Sequence, residues 1–356
     1  MNFMNDNEFL LMMVHNPPRG RGDANGERWH TLTLEERIKL GAVGIQTASE
    51  QPSWRAVEPI RGEYNFDYMG NMIHMNREAG LKTSFGIPFT ILPDWIPNEW
   101  KGVGKNGIYT DVSEHMTVLS FWNDEAQEYL DNYFKLLLDT YPEEDIDFRF
   151  EEYQGGEGAY PPTPNFYDPP ALEDYKRVYG SSAVPELTDP DTLDWFGKKI
   201  IEHFVRVSKI FYPRHKEVWN DMQRLMDTEG PHGTKAFGNF VQKDILKEYR
   251  RLWPDGSIVL LQYTYYDGAH GQDNVDFVDM LREEVGCETI VEAMYCSGLA
   301  TTTPKAIAHG FRGQVVRPAI QLDMKSLPDH EVNAIRDSHQ LWICLLYTSP
   351  SPRDRS

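Results

Sequence analysis

The sequence predicts an α/β protein built as a (β/α)8 TIM barrel, and three observations lead there. Apolar runs of strand length alternate with segments of helical period, the pattern of a parallel sheet with crossover helices. The 356 residues suit one large barrel, and no stretch reads as a linker. A knot of carboxylates, glycines and aromatics follows the fourth strand-like run, at the strand end where barrels carry their sites.

Each element follows from local pattern. Phe9 to His15 reads as the first strand. Thr33 to Leu40 reads as a helix, opened by Thr33 with Glu36 three residues on, a capping box. Val43 to Ala48 is the second strand, Phe66 to Ala79 the second helix, stopped at Gly80, and Leu81 to Ile87 the third strand. Asn123 to Thr140 is a helix leading to a fourth strand at Ile146 to Phe150. The second half threads in two registers. In the favoured one, Leu193 to Phe211 and Lys235 to Leu252 are helices, and strands five to eight are Lys216 to Met222, Ser257 to Tyr263, Thr289 to Met294 and Gln314 to Gln321. Asp329 to Ser338 then closes the barrel. In the rival, Ser257 to Tyr263 is strand five, residues 157 to 256 form an insertion, and an eighth strand begins near Leu341. The favoured register avoids a hundred-residue insertion and sets Glu292 on strand seven.

Composition narrows the function. A formal net charge of −20 repels nucleic acid and anionic membranes, so neutral substrates suit the chain better. No apolar run of bilayer length occurs, and the start MNFMNDNEFLLMMVHN lacks the basic head and cleavage site of a signal peptide; a cytoplasmic or undetermined location is expected. Cys287, Cys296 and Cys344 give neither a disulfide framework nor zinc spacing, and neither cofactor nor metal is expected. The oligomeric state is open.

The segment from Asp147 to Pro162, DFRFEEYQGGEGAYPP, carries the chemistry. Glu151, Glu152 and Glu157 lie close enough for like charges to raise a proton affinity, as a general acid requires. Glycines between them let the backbone approach a ligand, and Tyr153 and Tyr160 offer faces for a sugar ring. Glu292 in TIVEAMYCSG supplies a second carboxylate in the favoured register, with Tyr295 beside it; Asp323 does so in the rival. A salt-bridged strand glutamate is the plainer account of Glu292. His15, Asn16, Trp54, Trp95, Trp219, Asn220 and Tyr265 end strands or occupy the following loops, where sugar contacts occur, as do Trp100, Trp122, Asp267 and His270. The tryptophans serve equally well as packing under loops.

SWRAVEPIRGEYNFDYMGNMIHMNREAGLKTSFGIPF resembles the clan of barrel glycoside hydrolases, especially family 42 β-galactosidases and family 14 β-amylases, through Trp54, Glu58, Pro59, Gly62, Tyr64, Phe66, Gly80, Leu81 and Lys82. LPDWIP and PALEDYKRVYG are similar to further family 42 elements, so the resemblance covers roughly residues 40 to 180. It implies a glycosidase with an acid after strand four and a nucleophile or base on strand seven. The family 42 alignment makes Glu152 the acid, with Glu151 standing where that family has asparagine. The family 14 alignment, GEGAYP, makes it Glu157. Glu151 is then a sugar ligand or neighbour. A carbohydrate-binding or polysaccharide-processing barrel without hydrolysis is the alternative. CLLYTSPSPRD, from Cys344 to Asp354, resembles a translated sequencing adapter, so residues 1–343 are expected to form the barrel, 344–356 a non-native tail, and the natural C-terminus to be missing.

Overall fold

The computed structural model describes residues 10–14, 32–50, 52, 54–88, 92–104, 107, 119–142, 146–151, 166–186, 189–211, 215–218, 247, 251, 259–263, 283, 288–293, 296–308, 311, 313–316 and 326–348. The strands are β1 (Leu10–Val14), β2 (Thr47–Glu50), β3 (Lys82–Pro88), β4 (Ile146–Glu151), β5 (His215–Val218), β6 (Val259–Tyr263), β7 (Glu288–Ala293) and β8 (Gly313–Val316). The helices are α1 (Leu34–Ala42), α2 (Trp54–Val57), α3 (Asp67–Glu78), α4 (Asp124–Thr140), α5 (Pro169–Tyr179), α6 (Pro190–Phe211), α7 (Leu299–Ala308) and α8 (Asp329–Thr348). The strands form one parallel sheet in the order β5-β4-β3-β2-β1-β8-β7-β6. The first and last of the described strands are therefore neighbours, with Leu11 registered on Val315. β5 and β6, at the two ends of this order, have no ladder among the described residues but approach within 8 Å between Cα atoms.

Local rules explain the first unit. Thr33 caps α1 as expected: the Glu36 amide donates to Thr33 Oγ1 at 3.4 Å, and the Thr33 amide donates to Glu36 Oε2 at 2.9 Å. Glu36 Oε1 also accepts the Leu327 amide at 2.6 Å, which ties the cap to the lead-in of α8. β2 begins four residues later than the sequence suggests. Residues 43 to 46 serve the turn instead: the Ile45 amide bonds back to Leu40 O at 3.1 Å, and Gly44 takes φ +115°. A Cβ at Gly44 would meet the His339 ring at 2.2 Å, so α8 packs against backbone there.

Alternation along the strands assigns two faces. Ala48 and Val316 join Leu40, Ile45, Leu299 and Ile335 in one cluster of the helical layer, while Phe85 and Ile146 join Trp54, Phe134 and Leu137 in another. Glu50 reaches Arg37 on α1 and Asn76 on α3, and Asn76 also donates to Thr83 Oγ1 at 3.0 Å. Gln314 accepts from Thr303 Oγ1 at 2.8 Å and from Trp342 Nε1 at 3.4 Å. Ala48, Glu50, Thr83, Phe85, Ile146, Gln314 and Val316 thus belong to the helix-facing set, and Thr47, Ser84 and Val315 to the interior set.

The favoured threading describes the second half. β5 lies at His215, within the span the rival treats as an insertion, and Leu341, where the rival starts its last strand, lies in α8. α8 runs beyond the expected Ser338 to Thr348 because Trp342 is buried against Gln314, and it takes in the first residues of the adapter-like segment. α7, between β7 and β8, is an element the periodicity did not reveal; Pro304 within it masks its helical pattern. The expected helix at 235–252 lies outside the described residues apart from helical Lys247 and Arg251.

Arg37 and Glu50 are both fully buried, so removing one leaves a bare charge in the core. Arg37→Met should lower the unfolding free energy by about 3–5 kcal/mol in urea titrations, and Arg37→Met/Glu50→Leu should recover part of that loss.

Candidate active site

Glu151 closes β4 opposite Pro88 of β3, in register with the interior residues Ser84 and Asp147 and out of step with helix-facing Ile146. Glu292 on β7 is registered on Val315 of β8 and on Tyr263 of β6. Val315 is an interior residue, flanked by Gln314 and Val316 of the opposite set, so residue 292 occupies an interior position near the carboxyl end of its strand. Glutamates thus stand at interior register positions at the ends of both β4 and β7. His15, Asn16, Glu152, Tyr153, Glu157, Tyr160, Trp219, Asn220, Tyr265 and Tyr295 lie outside the described residues, as do Asp267, His270 and Asp323.

Two aromatic assemblies support the loops at this end of the sheet. In the first, Trp54 is 1% exposed, stacks on Tyr133 at 4.8 Å and donates Nε1 to Glu58 Oε2 at 2.7 Å. This corrects its expected role as a sugar platform: the ring lies under the loop, with no open face. Trp100 is buried likewise, and Trp95 is half-buried, its Nε1 donating to the Glu58 carbonyl at 2.9 Å. Glu58 is the centre of this assembly. Its carboxylate accepts from Trp54, from the Gly62 amide at 2.7 Å and from the Tyr129 hydroxyl. Burial, followed by the hydrogen bond to Glu58, pushes the Tyr129 phenol well up, so it remains a donor. Gly62 accommodates φ +79° in the turn that aims its amide at Glu58. Arg61 lies over Trp95, Trp100 and Tyr129 with its guanidinium carbon 5.1–5.6 Å from the ring centroids. The Glu-Pro and Gly-x-Tyr pattern marks this turn in the sequence, but the cation–π contacts join residues that are distant along the chain, Tyr129 of α4 among them.

The second assembly holds Trp122, which stacks on Trp195 at 4.5 Å. Both indoles donate to Asp174 Oδ2, at 3.1 and 2.7 Å, and Arg177 binds the other oxygen. Burial pulls the Asp174 carboxyl up, but these donors outweigh it and hold the carboxyl below its usual range. Asp168 caps α5 and accepts from Ser120 Oγ at 2.6 Å; burial dominates there and raises it. His203 of α6 packs on Phe121 at 4.9 Å, with Nδ1 at 3.0 Å from Arg206. Burial, then the Arg206 and Lys199 charges, push its pKa well below 6.5, so the ring is neutral.

A family model described as β-galactosidase, glycoside hydrolase family 42, matches residues 23–112. The β-galactosidase of the psychrophilic Marinomonas ef1 superposes with a TM-score of 0.60 at 11% identity, over 96% of this chain and 62% of that one. Gan42B, a family 42 β-galactosidase from G. stearothermophilus, gives 0.62 at 11% identity, over 96% and 57%. A psychrophilic family 10 endo-β-1,4-xylanase gives 0.51 at 11%, over 93% and 96%. These neighbours are TIM-barrel glycoside hydrolases. The chain spans about three fifths of the length of the solved β-galactosidases it matches. No curated protein matches it in sequence. Family 42 is thus the side of the resemblance that these comparisons support, and family 14 is not among the matches named here. Among the described residues no helix is long and apolar enough to cross a membrane, and no cluster of His, Cys, Asp and Glu could hold a metal ion.

The depressed His203 pKa has a pH consequence. Its neutral ring contributes stability above the unfolded value near 6.5, and that contribution is lost as pH falls from there toward the folded value. Unfolding free energy should therefore drop between pH 6.5 and 5, and the drop should be smaller in His203→Gln, as measured by denaturant titration across that range.

Proposed function

We propose that the chain is a glycoside hydrolase of β-galactosidase type, working with two carboxylates across the mouth of a closed (β/α)8 barrel. The observation that carries this reading is the shared interior parity of Glu151 and Glu292 at the ends of β4 and β7. Joining β5 to β6 would close the sheet and set β4 and β7 three strands apart around the ring, on facing sides. The family match over residues 23–112 and the barrel glycosidase neighbours support the glycoside hydrolase reading itself.

In this mechanism Glu292 meets the oxocarbenium-like transition state as nucleophile or as the base that activates water. The acid that protonates the leaving oxygen comes from the EEYQGGE segment. Glu152 and Glu157 are the candidates drawn from motif alignment, and the interior parity of Glu151 adds the last residue of β4 itself. The remaining expected contacts, His15, Asn16, Trp95, Tyr153, Tyr160, Trp219, Asn220, Tyr265 and Tyr295, would line the sugar subsites. Trp54 drops out, because it is buried.

The test is hydrolysis of aryl β-galactosides by Glu151→Gln, Glu152→Gln, Glu157→Gln and Glu292→Gln. Glu292→Gln should lower kcat by about 10³-fold or more for every leaving group. The acid variant should lose about 10²-fold or more on phenyl substrates and far less on dinitrophenyl ones, whose leaving group needs no proton. Near-normal turnover by Glu292→Gln would remove it from the mechanism. Sugar binding without turnover by the unaltered protein would favour the non-hydrolytic barrel.

A further inference from the structure

The segments that follow β2 and β3, residues 54–66 and 92–104, carry three cations in a chain whose 55 acids outnumber its 35 bases. Two of them are committed. Arg55 donates Nε to the Leu92 carbonyl at 3.1 Å and pairs with Asp94 at 3.0 Å, and Lys101 donates to Asn98 Oδ1 at 3.0 Å. Arg61 is exposed, yet among the described residues no oxygen accepts from its guanidinium. Glu63, two residues on, is exposed and makes no ion pair with it. The Glu58 carboxylate is buried and already accepts from Trp54, Gly62 and Tyr129.

Three ring faces hold Arg61 in place of an acid. Its guanidinium carbon lies 5.6 Å from the Trp95 centroid and 5.1 Å from those of Trp100 and Tyr129. The rings brace one another, Trp95 meeting Trp100 at 6.3 Å and 78° and Tyr129 at 5.1 Å and 62°. An aromatic floor orders the guanidinium and occupies none of its N–H groups, so a planar fork of donors stands ready for an acceptor. That fork matches the paired oxygens of a carboxylate or a sulfate. Tyr64, in the same turn, shares a hydrogen bond with Tyr129, is 37% exposed and lies parallel to Phe66 at 5.9 Å. It offers a flat face for a sugar ring close to the charge.

We propose that Arg61 is a specificity-determining residue that binds an oxyanion substituent, carboxylate or sulfate, on the saccharide, with the Tyr64 ring as platform for the sugar that carries it. The oxyanion site stands on the contacts of Arg61, and its use for a substrate rests on the glycosidase reading. The net charge of −20 opposes acidic saccharides at long range, so attraction confined to one guanidinium selects those that present their charge at that place.

Equilibrium binding, followed by tryptophan fluorescence, tests the site without reference to turnover. The probes are a thio-linked β-galacto-oligosaccharide that resists hydrolysis, its 6-sulfated and its uronate counterparts, and inorganic sulfate. At least one charged saccharide should bind about tenfold or more tighter than the neutral one, and which of them does so identifies the oxyanion. Inorganic sulfate should bind far more weakly than that saccharide. Arg61→Met should erase the preference, and Arg61→Lys, which keeps the charge and loses the fork, should retain only part of it. If Arg61→Met does not fold, Arg61→Lys carries the comparison. Equal binding of charged and neutral forms, or a preference untouched by substitution of Arg61, would overturn the proposal. Inorganic sulfate binding as tightly as the charged saccharide would do so too, since it would mark an ion site that reads no sugar. Hydrolysis of aryl β-galactosides decides the glycosidase reading separately: turnover with no preference for charge keeps that reading and sinks the subsite, and an Arg61-dependent preference without turnover does the reverse.

Discussion

The buried contact between Arg37 and Glu50 is the constraint on which the other assignments depend. It joins the end of β2 to α1, and through Asn76 and Thr83 to α3 and β3, so one polar cluster spans two successive βα units. A buried ion pair of this kind adds little net stability compared with apolar packing, but it tolerates no slip. Shifting β2 by one residue would turn Glu50 inward and strand Arg37 in the core. Parity fixed at Glu50 passes by register to Phe85, then to Phe148, and so to Arg149 and Glu151. Gln314, bonded to Thr303 and Ser338, plays the same part for β8 and through it for Glu292.

Outside the sheet, two carboxylates organise the loops. Glu58 gathers Trp54, Gly62 and Tyr129, and Asp174 gathers Trp122, Trp195 and Arg177. In each case indole N–H groups that burial would otherwise leave unsatisfied find an anionic acceptor, and the rings can then pack edge and face around it. These assemblies tie the segments after β2 and β3 to α4, α5 and α6. They also account for tryptophans that look like sugar platforms in the sequence: an indole after a strand is attractive to a sugar and to a buried carboxylate for the same reasons, an apolar face and one donor.

Legibility in the sequence followed the range of the interaction. Thr33 with Glu36, Asn123 before α4 and Gly80 after α3 act within a turn of chain, and each marks its boundary within a residue or two. β2 was displaced because Val43, Gly44 and Ile45 are apolar or small whether they extend or turn, and contact with α8 decides between the two. The length of α8 was hidden for a similar reason, since Trp342 is buried by residues distant in the sequence, Gln314 on β8 among them.

The sequence by itself determined the alternation of strands and helices, the glutamate-rich end of β4, a glutamate in β7 and a strongly acidic balance, because periodicity, capping and charge are local or additive properties. Tertiary structure alone decided which threading the second half takes, at which register positions Glu151 and Glu292 stand, and that Trp54 is buried. Those outcomes depend on register between strands far apart in the chain, where a single residue's shift exchanges the interior for the helical layer.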